Sequence, residues 1–146
     1  MIRKIQLMNN NMIYNLFLDD FRVPNDCSSY TGNKLYVDED WIIVRNYNEF
    51  VKIIKEKGLP SKISFDHDLA PEHYTPEKYW NSYQKSKKWQ ESQKYVEKTG
   101  FDCAKWLIDY CMDNNIDDFP EFYIHSMNPV GADNIQNLII NYLMNK

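Results

Sequence analysis

The chain has 146 residues, a net charge of −4 and 43% hydrophobic residues, enough for one domain (1–146) with a substantial core. This acidic balance argues against tracking along duplex DNA, which needs a broad basic face. No stretch reaches the roughly 18 apolar residues of a membrane helix, and the polar start lacks the apolar block of a signal peptide. Three cysteines without CxxC spacing favour a reducing, cytoplasmic location.

Four short apolar segments bounded by turn residues are typical of buried parallel strands. They are residues 12–18, 41–45, 61–65 and 122–124. Residues 21–40 are rich in Pro, Asn, Asp and Ser, and are predicted to form a loop. Helical periodicity follows the second strand, with Asn48 as the cap, and resumes at Thr99 or Asp102. A last helix is predicted to start near Ala132.

Strands that alternate with helices predict an α/β fold, an open parallel sheet of about four strands with helices on both faces. Residues 70–98 interrupt the alternation with two prolines, six lysines and six aromatic residues. This segment is predicted to be an insert after the third strand. It is either a lid that stacks a substrate base over a site or a surface helix whose aromatic side chains merely pack.

Ionisable side chains directly follow two of the predicted strands. Asp19 and Asp20 follow the first, and Asp66, His67 and Asp68 follow the third. Because ligands of open α/β sheets bind at the carboxyl ends of strands, these groups are expected at one rim. Neighbouring carboxylates repel each other unless a cation intervenes, and a hard divalent ion such as Mg²⁺ or Mn²⁺ is the usual one. We therefore predict a metal site formed by Asp19, Asp20 and Asp66.

Two histidines are candidates for proton transfer. His67 can be a metal ligand or an acid–base group, and Asp68 can orient a histidine or complete the metal shell. His125 follows a wholly apolar strand and, taken alone, indicates a core histidine. Beside two acidic strand ends, the interpretation as a site residue is favoured. His73, at the start of the insert, has weaker support as a further member.

Four further residues are candidate contacts for a phosphate group. Arg22 and Arg45 suit phosphate oxygens because the guanidinium group donates in a fixed fork. Ser126 can donate a hydrogen bond to a phosphate oxygen or, in principle, act as a nucleophile. Asn128 opens the loop that leads into the last helix, whose free amides offer a place for an anion.

These strand ends resemble the receiver domains of two-component signalling. In receivers an acidic pair ends the first strand, a phosphoacceptor Asp ends the third, and a Ser or Thr ends the fourth. The matching positions are Asp19 and Asp20, Asp66 and Ser126. The resemblance is closer to the cyclic-phosphate processing receiver domains of bacteria and phages, and it spans roughly residues 14 to 140. The segments that carry it are residues 16–24, 44–45, 64–69, 99–102 and 125–129.

The resemblance implies a receiver or flavodoxin-like fold and action on a cyclic phosphate, in a cyclic nucleotide signal or at a 2′,3′-cyclic phosphate RNA end. The chain departs from ordinary receivers because no fifth strand with the usual lysine is apparent, histidines flank two strand ends, and a long insert is present. These departures argue against phosphorelay signalling. A phage origin would place the protein in the host cytoplasm and fit a counter-defence role.

The expected function is hydrolysis or opening of a cyclic phosphodiester, with His67 and His125 as base and acid beside a carboxylate-held metal. In a metal-free version, the two histidines act alone and the carboxylates tune their pKa values. Two non-enzymatic alternatives remain open. One is a module that sequesters a cyclic nucleotide, and the other is a degenerate receiver that acts through protein contacts.

Overall fold

The computed structural model describes residues 6–8 and 11–146. Strands β1 (Gln6–Met8) and β2 (Asn11–Ile13) pair antiparallel in a separate hairpin. The main sheet consists of β3 (Asn15–Leu18), β4 (Ile42–Val44), β5 (Lys62–Phe65) and β6 (Glu121–Ile124). These four strands are all parallel, in the order β4-β3-β5-β6. The first strand of the sheet therefore lies between the second and third, as in flavodoxin-like folds, and the predicted fold class is confirmed.

The prediction that the first strand covers residues 12–18 is wrong about where the strand begins. Residues 11–13 belong to the hairpin, and β3 joins the sheet only at Asn15, which pairs with Lys62 at the start of β5. A parallel ladder extends only where the neighbouring strand runs alongside. Between the two strands, Tyr14 turns into the core, and its hydroxyl donates to the carbonyl of Gly58 at 2.6 Å.

The predicted loop 21–40 contains two helices, α1 (Pro24–Thr31) and α2 (Leu35–Asp38). The turn-forming residues that favoured a loop are the start and end signals of α1. Pro24 occupies the first helical position, where its missing N–H is not needed. The Asp26 carboxylate accepts from the amide of Val23 at 3.0 Å, and Gly32, with φ of 69°, ends the helix.

Four longer helices complete the fold: α3 (Tyr47–Lys57), α4 (Tyr83–Ser92), α5 (Gly100–Asp113) and α6 (Pro129–Asn145). Asn46 rather than Asn48 caps α3, since its side chain accepts from the amide of Glu49 at 2.9 Å. Thr99 caps α5. The last helix begins three residues earlier than predicted because Asn128 is its cap. None of the helices in the described parts of the chain is long and apolar enough to cross a membrane.

Alternation along the strands divides the core into two layers. The larger layer packs one face of the sheet against α3, α5 and α6, and includes Leu16, Leu18, Ile63, Phe65, Phe50, Leu107 and Ile135. The smaller layer lies on the opposite face, where Phe17 contacts Cys27 of α1 and Tyr36 of α2. The two short helices thus cover the second face, and helices lie on both faces as predicted.

The insert between β5 and α5 consists of α4 preceded by two short 3₁₀ turns, Pro71–His73 and Glu77–Tyr79. His73 is fully buried and connects its two ends. Its Nδ1 accepts from the amide of Leu69 at 2.9 Å, and its Nε2 donates to the carbonyl of Glu97 at 2.8 Å. Both nitrogens are therefore bonded to backbone, and His73 braces the insert instead of joining the strand-end residues.

The start of α5 lies directly against the end of β5. A Cβ atom added at Gly100 would lie 1.7 Å from the carbonyl oxygen of Asp66, and the Gly100 amide donates to the carbonyl of His67 at 2.8 Å.

We expect Gly100→Ala to lower the free energy of unfolding by at least about 2 kcal/mol, because the backbone must move apart. Urea denaturation measures the change. Lys105→Ala, exposed on the same helix, is the control, and equal stability of the two variants would contradict this close approach.

Candidate functional site

Three side chains from three strand ends meet at the carboxyl edge of the sheet. Asp19 follows β3, Asp66 follows β5 and His125 follows β6, and one ligand atom of each lies within 4.8 Å of the others. The backbone ladder continues one residue past the strands to place them. The amide of Asp66 donates to the carbonyl of Leu18 at 3.0 Å, and that of His125 to Phe65 at 3.0 Å. The rim expected from the sequence is therefore present, with His125 as a member.

Asp19 is fully buried, and both of its oxygens are hydrogen-bonded. Its Oδ1 accepts from the amides of Phe21 at 3.0 Å and Arg22 at 2.8 Å. Its Oδ2 accepts from His125 Nε2 at 3.0 Å and lies 3.4 Å from Arg22 Nη1. Burial raises the pKa of Asp19, but the bonds from His125 and the two amides outweigh it and bring the pKa to about 2. Asp19 therefore stays ionised.

His125 forms part of a buried chain of hydrogen bonds. Its Nδ1 lies 2.7 Å from Ser64 Oγ, which lies 2.6 Å from the Tyr36 hydroxyl. The imidazole stacks on Phe17, and burial lowers its pKa. A neutral ring that donates Nε2–H to Asp19 accepts at Nδ1, so Ser64 donates to His125 and Tyr36 donates to Ser64. Both nitrogens are thereby used within the protein, and the chain fixes the orientation of the Asp19 carboxylate.

Burial and neighbouring carboxylates strongly raise the pKa of Asp66. It is 3% exposed, and its Oδ1 accepts from the amide of His67 at 2.9 Å. Burial, together with the nearby charges of Asp19 and Asp68, raises its pKa to about 8, although Arg22 partly opposes this. At neutral pH this carboxyl group holds a proton unless a cation replaces it.

Asp20 lies beside this cluster and is held by the insert. The Tyr74 hydroxyl donates to its Oδ2 at 2.7 Å. Its Oδ1 is buried without a hydrogen-bond partner among the described residues. Burial raises the pKa of Asp20, and the charge of Asp19 adds to this, whereas the bond from Tyr74 lowers it. A buried carboxylate oxygen without a partner is costly, and a bound cation would satisfy it.

The donor set fits a hard divalent cation. Asp19 and Asp66 offer carboxylate oxygens within one cluster, whose third member is His125 instead of the predicted Asp20. Asp20 directly follows Asp19 and has one unpartnered buried oxygen. Oxygen donors of this kind suit Mg²⁺ and Mn²⁺. Burial raises the pKa of Asp66 most, and the negative charges of Asp19 and Asp68 add to this, so a bound cation would stabilise its ionised form. His125 can supply a nitrogen only by giving up its bond to Asp19.

His67 and Asp68 form a second arrangement beside this cluster. His67 Nδ1 donates to Asp68 Oδ1 at 2.7 Å, and that oxygen also accepts from Asn128 Nδ2 at 3.0 Å. Asn128 is fixed in turn because its own Oδ1 accepts from the amide of Gly131 at 3.0 Å. With the proton on Nδ1, the neutral ring has a lone pair at Nε2. That atom has no hydrogen-bond partner in residues 13–146, so it is available for proton transfer.

The other candidate phosphate contacts differ in the interactions that they already make within the protein. Arg45 Nη1 donates to the carbonyls of Asp19 at 3.1 Å and Arg22 at 2.7 Å, so it braces the loop after β3. Ser126 Oγ accepts from the amide of Asn128 at 3.1 Å in a local turn. The guanidinium of Arg22, next to Asp19, is the cation at the cluster itself.

Sequence reasoning missed three residues that support the site. Ser64 and Tyr36 complete the chain that holds His125, and Tyr74 holds Asp20. Ser64 did carry a signal, since it is a lone polar residue inside an apolar strand. The two tyrosines carried none, because their partners lie 28 and 54 positions away in the chain.

The sheet order and the carboxylates that follow its first and third strands define a receiver-like α/β domain. The model of the cyclic-phosphate processing receiver domain family matches residues 14–141. The chain belongs to this family, and the resemblance noted in the sequence is confirmed. The family description points to a role in cyclic-phosphate processing. No curated protein and no solved structure shows significant similarity to the chain.

Removal of the Tyr74 hydroxyl should weaken metal binding. We expect Tyr74→Phe to raise the dissociation constant for Mn²⁺ about tenfold, because Asp20 loses the bond that orients it. Isothermal titration measures the constant. Tyr83→Phe is the matched control, since this tyrosine of the same insert donates to Asp133 on α6 at 2.7 Å. If both variants bind Mn²⁺ equally well, Asp20 and Tyr74 have no part in the site.

The raised pKa of Asp66 predicts how stability depends on pH in the metal-free protein. Between pH 4 and 8 the folded state keeps this proton while the unfolded chain has released it, so stability falls as the pH rises and levels off above about 8. Asp66→Asn removes this loss. In EDTA, its stability advantage over the wild type should be at least about 1 kcal/mol greater at pH 8 than at pH 4.

Denaturation curves at several pH values test this expectation. Asp109→Asn removes an exposed carboxylate of α5 and serves as the control. An advantage of Asp66→Asn that does not change with pH would show that Asp66 is already ionised in the folded protein.

Proposed function

We propose that the protein hydrolyses or opens a cyclic phosphodiester, in a cyclic nucleotide or at an RNA 2′,3′-cyclic phosphate end, in the cytoplasm. The observation that carries this proposal is the geometry of His67. Its Nδ1 is bonded to Asp68, and its Nε2 is left without a partner in the described part of the chain. An imidazole that is oriented at one nitrogen and free at the other is suited to general acid–base catalysis.

The carboxylates define where the phosphate binds. Asp19 and Asp66 would hold the divalent cation, with the unpartnered oxygen of Asp20 as a further ligand. When bound, the cation neutralises phosphate charge and activates a nucleophile. The cation is needed because an anionic phosphate is otherwise repelled by this cluster. Arg22, at the edge of the cluster, would bind a phosphate oxygen.

His67 acts as the general base. Nε2 accepts a proton from the attacking water as its oxygen forms a bond to phosphorus, and the ring P–O bond on the opposite side of phosphorus breaks. The leaving ester oxygen takes its proton from solvent water, and His67 later releases the one it accepted to solvent. Asp68 stabilises the imidazolium that forms and keeps the proton of the neutral ring on Nδ1. The product is a phosphate monoester.

His125 takes a different role from the one expected of it in the sequence. The sequence pairs it with His67 as the second acid–base group, yet both of its nitrogens are bonded within the protein. We therefore assign it to positioning Asp19. The metal-free alternative needs two histidines directed at the substrate, so this geometry favours the metal-dependent reaction.

Turnover of a substrate panel tests the proposal. The panel contains 2′,3′- and 3′,5′-cyclic mononucleotides, cyclic dinucleotides and RNA with a 2′,3′-cyclic phosphate end. We expect hydrolysis of at least one member with Mg²⁺ or Mn²⁺, and loss of activity in EDTA that added metal restores. Full activity in EDTA would contradict the metal role. Tight binding without turnover would instead support a sequestering module, and labelling of Asp66 by acetyl phosphate would support a degenerate receiver.

Variants of the hydrogen-bonded pair His67 and Asp68 sharpen this experiment. His67→Gln should lower kcat by about 10²–10⁴-fold, the usual contribution of a general acid–base group. Asp68→Asn should lower kcat as well, because an amide that donates to Nδ1 would leave the proton on Nε2. The double variant should be no worse than the worse single one, since the two residues act as a unit. Unchanged Mn²⁺ affinity in all three would show that the loss lies in chemistry.

A further inference from the structure

The groove beside His67 is an open cavity of about 460 Å³ between α4 and the helices α5 and α6. This volume is within the range of small-molecule sites. His67 is part of its wall, whereas Asp19, Asp20 and Asp66 are not. His67, the proposed acid–base residue, thus borders both the groove and the carboxylate cluster.

The charge of the groove excludes a phosphate as its occupant. Glu91 and Asp102 line it, and no lysine or arginine does so among the described residues. An anion would therefore be repelled, while the cation site and Arg22 attract one at the cluster. The part of a substrate that lies in the groove is therefore not anionic.

The remaining wall combines apolar surface with uncommitted hydrogen-bonding groups. Phe101 and Leu138 supply apolar area. Asn134 and Asn137 lie one turn apart on α6, both exposed, with side-chain amides that make no hydrogen bond in the described structure. Tyr95 also lines the groove, but its hydroxyl is buried, so Tyr95 contributes ring surface. A flat heteroaromatic ring matches such a wall, because its face packs on apolar side chains while amides bond to its edge.

We propose that this groove binds the nucleobase of the substrate, which is therefore a nucleoside cyclic phosphate. The inference rests on the proposed function, because His67 borders both the groove for the base and the proposed site of the phosphate. The base lies in the groove, the cyclic phosphate lies at the carboxylates, and the ribose bridges the two past His67. Tyr95 is then the aromatic residue of the insert that contacts the base.

Paired substrates test the groove separately from the chemistry. Each nucleoside cyclic phosphate is compared with the corresponding 1-O-methylribose cyclic phosphate, which has the same reacting group and no base. We expect the wild type to favour the nucleotide at least tenfold in kcat/KM. Asn134→Trp, which fills the groove, should lower kcat/KM for the nucleotide to that of the base-free substrate. Gln136→Trp, on the same helix outside the groove, should keep the preference.

Nucleoside binding gives a second measurement that needs no turnover. Free nucleosides should shift the side-chain amide NMR signals of Asn134 and Asn137 in the wild type but not in a protein with Asn134→Trp, where the Asn137 signal should stay fixed. Equal rates on paired substrates, or no shift of these signals, would overturn the base site while leaving the hydrolysis proposal intact. Nucleoside binding without turnover of any substrate would overturn the reaction and keep the base site.

Discussion

The hydrogen bond from His125 Nε2 to Asp19 Oδ2 joins the ends of β6 and β3 where buried negative charge is greatest. A parallel sheet brings its carboxyl ends to one edge, so carboxylates that are distant in sequence become close neighbours. The fold keeps Asp19 ionised by surrounding it with donors: the imidazole, Arg22 and two backbone amides. The helices of the smaller core layer complete this support. Tyr36 of α2 ends the chain behind His125, and Tyr30 of α1 donates to the His125 carbonyl at 2.6 Å.

The insert is connected to the same edge by hydrogen bonds. Tyr74 binds Asp20, and Gln90 of α4 donates to the side chain of Asn128 at 3.0 Å, which itself holds Asp68. The insert therefore contacts both the carboxylate cluster and the support of His67. Its other aromatic residues are not equivalent, since Trp80 is 68% exposed. The structure adds a third role to the two alternatives that the sequence left open, because the insert helps to orient the site.

Two histidines that follow strands in similar contexts have different environments. His125 is enclosed between aromatic rings and hydrogen-bonded at both nitrogens. His67 packs against Gly131 at the start of α6, where any Cβ would collide with its ring, and one of its nitrogens remains available. This difference separates a residue that positions a carboxylate from one that is suited to move a proton.

Local sequence determined much of this protein, because the period of apolar residues and the turn residues act over a few positions. The four strands, the helices α3, α5 and α6, and the groups of Asp19, Asp66 and His67 at strand ends could be predicted in this way. The helices within 21–40 were missed because the same residues that end helices also form turns.

What only the tertiary structure decided depends on contacts between distant segments. The roles of His125 and Arg45 followed from which donors and acceptors surround them, and the sequence does not show this. The same holds for Tyr74, whose partner Asp20 lies 54 positions away, and for the groove between three helices. A residue type sets which hydrogen bonds a side chain can form. The folded chain sets which of them are already satisfied and which remain for a ligand.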